Sequence, residues 1–273
     1  MVKLKNFVKY QIGRIISILA PAILKELETG VNPTKYIWLK KQIVEGRKAQ
    51  STKKQNLNQL QAAHLLYWQS EQGAKFYRAF EERFDDWFLG EHKIFVTELQ
   101  KIMLSGREFN TILEIGCGDG QVLNYLSKNL PGVERGIGID INGGIIQENT
   151  KTYSENMKLD FVAGEALEGI KANLDDNSLL ISYGGVLEYF SGQSVKDIFE
   201  IIHETSNFSG IALVEPISPD HNLDTSFNSF IFGQENSFSH NHEYMLREAG
   251  FEIVFECEKH LDDRWKIIIA VSP

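Results

Sequence analysis

The run Ile112-Leu113-Glu114-Ile115-Gly116-Cys117-Gly118-Asp119-Gly120 sets three glycines at alternate positions directly after a buried-type strand pattern. Glycine lets the backbone approach a ligand closely, and a helix beginning at Gln121 offers unpaired N–H groups, so the turn suits a nucleotide-like ligand. A dinucleotide fingerprint G-x-G-x-x-G starting at Gly116 needs glycine where this chain has Gln121, so the pattern is G-x-G-x-G and a nicotinamide-dependent oxidoreductase is disfavoured. Proton-transfer groups gather in two later segments, Glu215-Pro216-Ile217-Ser218-Pro219-Asp220-His221-Asn222 and Ser239-His240-Asn241-His242-Glu243. Imidazole with carboxylate also suits a divalent metal, but Asp220, His221, His240 and His242 match no tight ligand spacing, and no metal is expected.

With these companions, residues 111–273 resemble a class I S-adenosylmethionine (SAM)-dependent methyltransferase. The resemblance implies SAM as cofactor and S-adenosylhomocysteine (SAH) as product. Gly116, Cys117, Gly118 and Gly120 form the cofactor turn, with Glu114 orienting it and helping to hold the methionine amino group. Asp140, ending Gly138-Ile139-Asp140-Ile141, matches the acid that binds both ribose hydroxyls, a task for which a carboxylate accepts two hydrogen bonds side by side. Ile141 matches the apolar residue on adenine; Glu165 and Ala166 stand near the adenine amino group, where the family usually has Asp. Tyr183 closes the fourth strand run beside the cofactor.

The fourth strand continues Tyr183-Gly184-Gly185-Val186-Leu187-Glu188-Tyr189 and lacks the Asn/Asp-Pro-Pro-Tyr/Phe motif of amino-methylating relatives. Its form is similar to small-molecule and sugar O-methyltransferases, which implies a hydroxyl acceptor near Glu188 and Tyr189. An alcohol gains from a base that removes its proton. The Ser-His-Asn run is similar to a pattern in sugar-directed members, a resemblance that implies His240 as base with His221 as rival and Asn241 and His242 beside the acceptor. Trp68 and Tyr77, in Tyr67-Trp68-Gln69-Ser70-Glu71-Gln72-Gly73-Ala74-Lys75-Phe76-Tyr77, resemble a lid segment reaching the acceptor. The structural alternatives are plain capping, packing and surface polarity.

These groups need a scaffold that brings strand ends together. Strand-like runs at Thr111–Ile115, 136–140, Leu159–Ala163, 179–183, 211–215, 252–256 and 265–271 alternate with helical stretches, which predicts an α/β, Rossmann-like, mostly parallel seven-stranded sheet. The last two runs, separated by a turn at Asp262-Asp263, predict an antiparallel C-terminal hairpin. Residues 1–60 read as a basic helical extension, 61–105 as an aromatic helical lid or cap, and 106–273 as the core.

The chain has 273 residues, 42% hydrophobic, enough for a sizeable core, and two cysteines, which excludes a disulfide framework and points to a reducing, cytoplasmic setting. Its net charge of −9 conceals an asymmetry: residues 1–60 carry 12 Lys+Arg against 3 Glu and no Asp, leaving 16 against 34 acids in the rest. The acidic body disfavours nucleic acid as partner, although the basic head would serve an RNA methyltransferase as an arm. Residues 1–27 mix Lys3, Lys5, Lys9 and Arg14 with apolar residues at helical spacing. That segment reads as an amphipathic helix on an anionic membrane, a targeting peptide, or a helix packed on protein. A non-catalytic SAM-binding scaffold is the remaining rival, and the oligomeric state has no signature in this sequence.

Overall fold

The computed structural model describes residues 8, 11–13, 15–16, 18–29, 36–54, 56–78, 84–205, 208–233, 235–260 and 264–273. Two compact units result, one of Met1–Ala79 with Gln234–Asn236, the other of Phe80–Gly233 with Ser237–Pro273.

The first unit is helical, with α1 Pro21–Thr29, α2 Ile37–Lys54, α3 Leu57–Trp68 and α4 Glu71–Arg78. Asn56 starts α3 by accepting the Gln59 N–H at 3.1 Å, which answers one of the unpaired donors of a helix N-terminus. Ile23, Ile43, Val44 and Leu66 form its buried core, with Ile16, Ala20 and Tyr67 packed against them. The basic segment meets α2 at a glycine crossing, where a Cβ on Gly13 would stand 2.9 Å from Gly46 Cα.

The second unit opens with a π-helical turn, Phe84–Glu91, and α5 Lys93–Leu104. Then follow β1 Thr111–Ile115, α6 Gln121–Asn129, β2 Arg135–Asp140, α7 Gly143–Thr152, β3 Leu159–Ala163, α8 Ala166–Asn173, β4 Ser178–Tyr183, α9 Gly192–Thr205 and β5 Ser209–Ile217. The chain ends with β6 Phe230–Phe232, β7 Ser237–Ser239, α10 His242–Glu248, β8 Glu252–His260 and β9 Arg264–Val271. Strand order in the seven-stranded sheet is β3-β2-β1-β4-β5-β9-β8. Strands β1 to β5 are parallel, as predicted, and β9 inserts antiparallel between β5 and β8. The residues of the predicted turn, 262–263, lie outside the described ones. The ribbon β6–β7, three residues per strand, was not anticipated, because so short a run carries no readable alternation.

Every residue of β1 and β5 is buried, because helices cover both faces of the sheet. Alternation then sorts the side chains. Ile112 joins Phe88, Phe95, Leu123 and Leu179 on the face of α5 and α6, while Leu113 and Ile115 join Leu180, Phe199 and Leu246 on the face of α8, α9 and α10. The strand order reverses between β1 and β4, so a crevice opens at their carboxyl ends, where sheets of this kind take ligands. Gly138 in β2 is bound to this packing: a Cβ there would lie 2.8 Å from both Cys117 Sγ and Phe161 Cδ1. Gly138→Ala is expected to lower stability by about 1–3 kcal/mol through overpacking, read as a shifted urea midpoint with an unchanged m-value.

Candidate functional site

The glycine turn joins β1 to α6 through backbone that side chains resist. Gly116 has φ +63° and Gly118 φ +50°, and a Cβ on Gly116 would strike the Val186 methyls at 2.6 Å. Asp140 holds the turn from the end of β2. Its Oδ2 accepts the Gly118 N–H at 3.0 Å and its Oδ1 the Asn142 N–H at 2.8 Å, inside a site where the residue is 3% exposed. A carboxylate has about four lone-pair directions, so a further acceptor position remains on each oxygen. Behind it, Asn149 donates to the Gly118 carbonyl at 2.7 Å and Tyr153 to the Asp119 carbonyl at 3.0 Å. Asn142 caps α7 by accepting from Gly144 and Ile145. Asp119, Asn142, Asn149 and Tyr153 were not singled out from the sequence, since their roles arise from backbone atoms that meet only after folding.

The electrostatics beneath the turn are one-sided. Glu114 is 2% exposed, its Oε2 is buried without a hydrogen-bond partner, and burial together with Asp119 and Asp140 holds its carboxyl well above the usual range. Burial raises Asp140 to about 6, opposed by the N–H groups of Asn142 and Gly118, and likewise pushes the Cys117 thiol up. A buried carboxyl flanked by two more acids is a place that a ligand cation would relieve.

A second carboxylate shapes the far side of the crevice. Glu215, fully buried near the end of β5, accepts Ser182 Oγ at 2.5 Å and the Val186 N–H at 3.2 Å on Oε1, and the Leu187 N–H at 3.1 Å on Oε2. It thereby fixes the loop Gly184-Gly185-Val186-Leu187, whose two glycines both have φ +86°. Burial raises Glu215 to about 7 against these hydrogen bonds. Its signal in the sequence is an acid near the end of an apolar strand, as at Asp140.

Among the expected cofactor residues, Ala166 is buried, Ile141 and Tyr183 are half-buried, and Glu165 is exposed at the start of α8 with no side-chain capping bond. Glu188 and Tyr189 are half-buried in the 3-10 turn Leu187–Tyr189. Trp68 lies in the helical unit, edge-on to Tyr67 and Phe76. The Tyr77 side chain lies outside the described residues.

The histidine segment serves the scaffold instead of an acceptor. His240 is fully buried; its Nε2 donates to the Leu187 carbonyl at 3.0 Å, so Nδ1 accepts from Ser229 Oγ at 2.7 Å, and no lone pair remains for an acceptor proton. His221 is engaged in the same way, Nε2 to the Ser226 carbonyl and Nδ1 with Ser239 Oγ. Asn241 caps α10 through Oδ1 and spends Nδ2 on the carbonyls of Leu223 and Ser226. His242 is buried edge-on to His240, with both ring nitrogens unpartnered. Burial lowers His240 to about 4 and His242 well below the usual range. Among the described residues no three His, Cys, Asp or Glu side chains converge as metal ligands.

Residues 112–210 match the family model described as Methyltransferase domain. No curated protein matches the chain. Among solved structures, magnesium protoporphyrin IX methyltransferase (ChlM) from Synechocystis PCC 6803 with bound SAM is 13% identical with a TM-score of 0.55, covering 78% of this chain and 97% of that one. N-methyltransferase NodS from Bradyrhizobium japonicum WM9, in complex with SAH, is 15% identical with a TM-score of 0.52, covering 74% and 97%. A putative methyltransferase in complex with the Haloferax volcanii Trm112 activator is 15% identical with a TM-score of 0.51, covering 76% and 96%. The fold is therefore the Rossmann-like methyltransferase fold.

A histidine whose folded pKa lies below its unfolded value supports the fold above pH 6.5 and loses that support as pH falls through the folded value. Glu215 works oppositely, its contribution being full below about 4.5 and lost as pH rises through about 7. His240→Gln should therefore lower stability at pH 7.5 yet flatten the acid loss between pH 6.5 and about 4. Urea titrations across that window should show a slope smaller by up to about 1.4 kcal/mol per pH unit than in the unmodified protein.

Proposed function

We propose that this chain is a SAM-dependent methyltransferase whose acceptor is a hydroxyl of a small molecule, a sugar or glycosylated metabolite. The observation that carries the reading is the pairing of a glycine cradle with buried acids that lack a cation. SAM brings an ammonium group, ribose hydroxyls and a methyl on positively charged sulfur. The residues fit those features: Glu114 and its acidic neighbours face the ammonium group, the remaining lone pairs of Asp140 take the ribose hydroxyls, and Ile141 with Glu165 borders the adenine. On the acceptor side the loop held by Glu215 has no Pro-Pro motif with which to present an amide-like nitrogen. Methyl transfer asks mainly for in-line positioning and exclusion of water, and a loop anchored at two backbone N–H groups supports both.

Calorimetric titration of the unmodified protein with SAM and SAH should give micromolar binding. Asp140→Ala should weaken it at least tenfold, since each charge-assisted hydrogen bond is worth about 1.5–3 kcal/mol. No binding to the unmodified protein would sink the reading, whereas binding without turnover on any acceptor would favour the scaffold alternative.

The basic extension supports a peripheral membrane site for the enzyme. Val8, Ile12, Ile15, Ile18 and Leu19 are exposed at helical spacing, with Tyr36 just before α2 and Trp38 in its first turn also exposed, while Ile16, Ala20 and Ile23 turn into the unit's core. Apolar and aromatic side chains joined to a surplus of Lys and Arg suit an anionic lipid surface. Lys3, Lys5, Lys9 and Arg14 lie outside the described residues and contribute through charge alone. No helix among the described residues is long and apolar enough to cross a membrane. The protein should float with phosphatidylglycerol vesicles at low salt, and Ile15→Asp with Leu19→Asp should abolish flotation. Equal recovery with neutral vesicles or at high salt would refute an electrostatic surface contact.

A further inference from the structure

The Tyr183 end of β4 touches a group that neither the glycine turn nor the histidine segment involves. His92, the residue before α5, is 1% exposed, and its Nδ1 lies 3.0 Å from Tyr183 Oη. Its other ring nitrogen, Nε2, is buried with no hydrogen-bond partner. Trp265 packs beside it at 5.4 Å between ring centroids, and its indole Nε1 is also buried and unpartnered. Trp87 stands edge-on to both rings. Because β9 runs antiparallel to β5, with Trp265 opposite Pro216, Trp265 lies at the carboxyl end of the parallel strands, as Tyr183 does. Two unpartnered polar atoms of different kinds therefore belong to neighbouring rings at the carboxyl end of the sheet, where sheets of this kind take ligands.

An indole N–H only donates, whereas a neutral imidazole nitrogen without its proton only accepts. Burial and Lys259 hold the His92 imidazole at about 4, so the ring is neutral near pH 7. A neutral ring has one N–H; when Nδ1 donates it to Tyr183 Oη, Nε2 presents a lone pair. A hydroxyl is the small group that satisfies such a pair, its oxygen accepting from Trp265 and its proton pointing at His92.

We propose that His92 Nε2 and Trp265 Nε1–H hold the acceptor hydroxyl, with Tyr183 fixing the imidazole tautomer, so that His92 takes the place as base for which His240 and His221 have no free nitrogen. This inference rests on the methyltransferase reading. In the transfer the hydroxyl oxygen bonds the methyl carbon while the carbon–sulfur bond breaks with its electron pair on sulfur. The hydroxyl proton passes to Nε2 and from there to solvent. His92 is then a catalytic residue in the strict sense, and Tyr183 a positioning one.

The test uses the full chain saturated with SAH and labelled with nitrogen-15 at histidine and tryptophan, the signals being assigned with H92Q and W265F. The expected spectrum shows His92 Nε2 unprotonated and Nδ1 protonated, with that preference lost in Y183F. Methanol as hydroxyl probe should shift the Trp265 indole proton saturably, and the shift should fall at least fivefold in H92Q. SAH affinity should remain within twofold in H92Q and W265F. A protonated Nε2, or an indole signal indifferent to methanol, would overturn the inference while leaving the cofactor reading intact. Failure of the unmodified protein to bind SAH would remove the cofactor reading and this inference with it.

Discussion

A carboxylate buried at the end of a parallel strand, answered by backbone N–H groups in place of a side-chain cation, is the constraint on which this structure turns. Asp140 draws the Gly118 and Asn142 amides into one place, Gly118 meeting it with a positive φ that favours glycine. Leaving such a group unpaired is costly, so the turn, the start of α7 and the end of β2 are fixed together. Glu215 repeats the device three strands away in the sheet, tying the loop after β4 to the end of β5. Both acids sit at carboxyl ends of strands flanking the point where strand order reverses.

The same physics explains why the polar segment after β5 supports the site instead of reacting in it. His221, His240 and Asn241 are almost wholly removed from solvent, and their polar atoms are matched within the fold, whereas both ring nitrogens of the neighbouring His242 are not. The matches found are serine hydroxyls and main-chain carbonyls, including that of Leu187, whose N–H is held by Glu215. The histidine segment thus braces the loop after β4. With both ring nitrogens engaged, His240 serves the fold as a neutral bridge.

Acid–base capacity is instead found where matching is incomplete. Glu114 lacks a partner at one oxygen, and His92 and Trp265 each leave one nitrogen unanswered. The first calls for a cation, and the second pair for a group that both donates and accepts.

The sequence by itself determined the fold class, because alternating apolar runs with helical spacers and a glycine turn are local patterns; β1, β3 and α6 begin and end where the pattern predicts. It also marked the glycine turn and the acid that holds it, since Gly116, Gly118 and Asp140 meet through backbone geometry and strand position that short motifs encode. Tertiary structure alone decided the acceptor end. Whether His240 is a base depends on Ser229 and Leu187, 11 and 53 residues away, and the pairing of His92 with Tyr183 spans 91 residues. A ring nitrogen is free or spoken for according to what packs against it, and that partner is chosen when the sheet closes, not by the residues beside it in the chain.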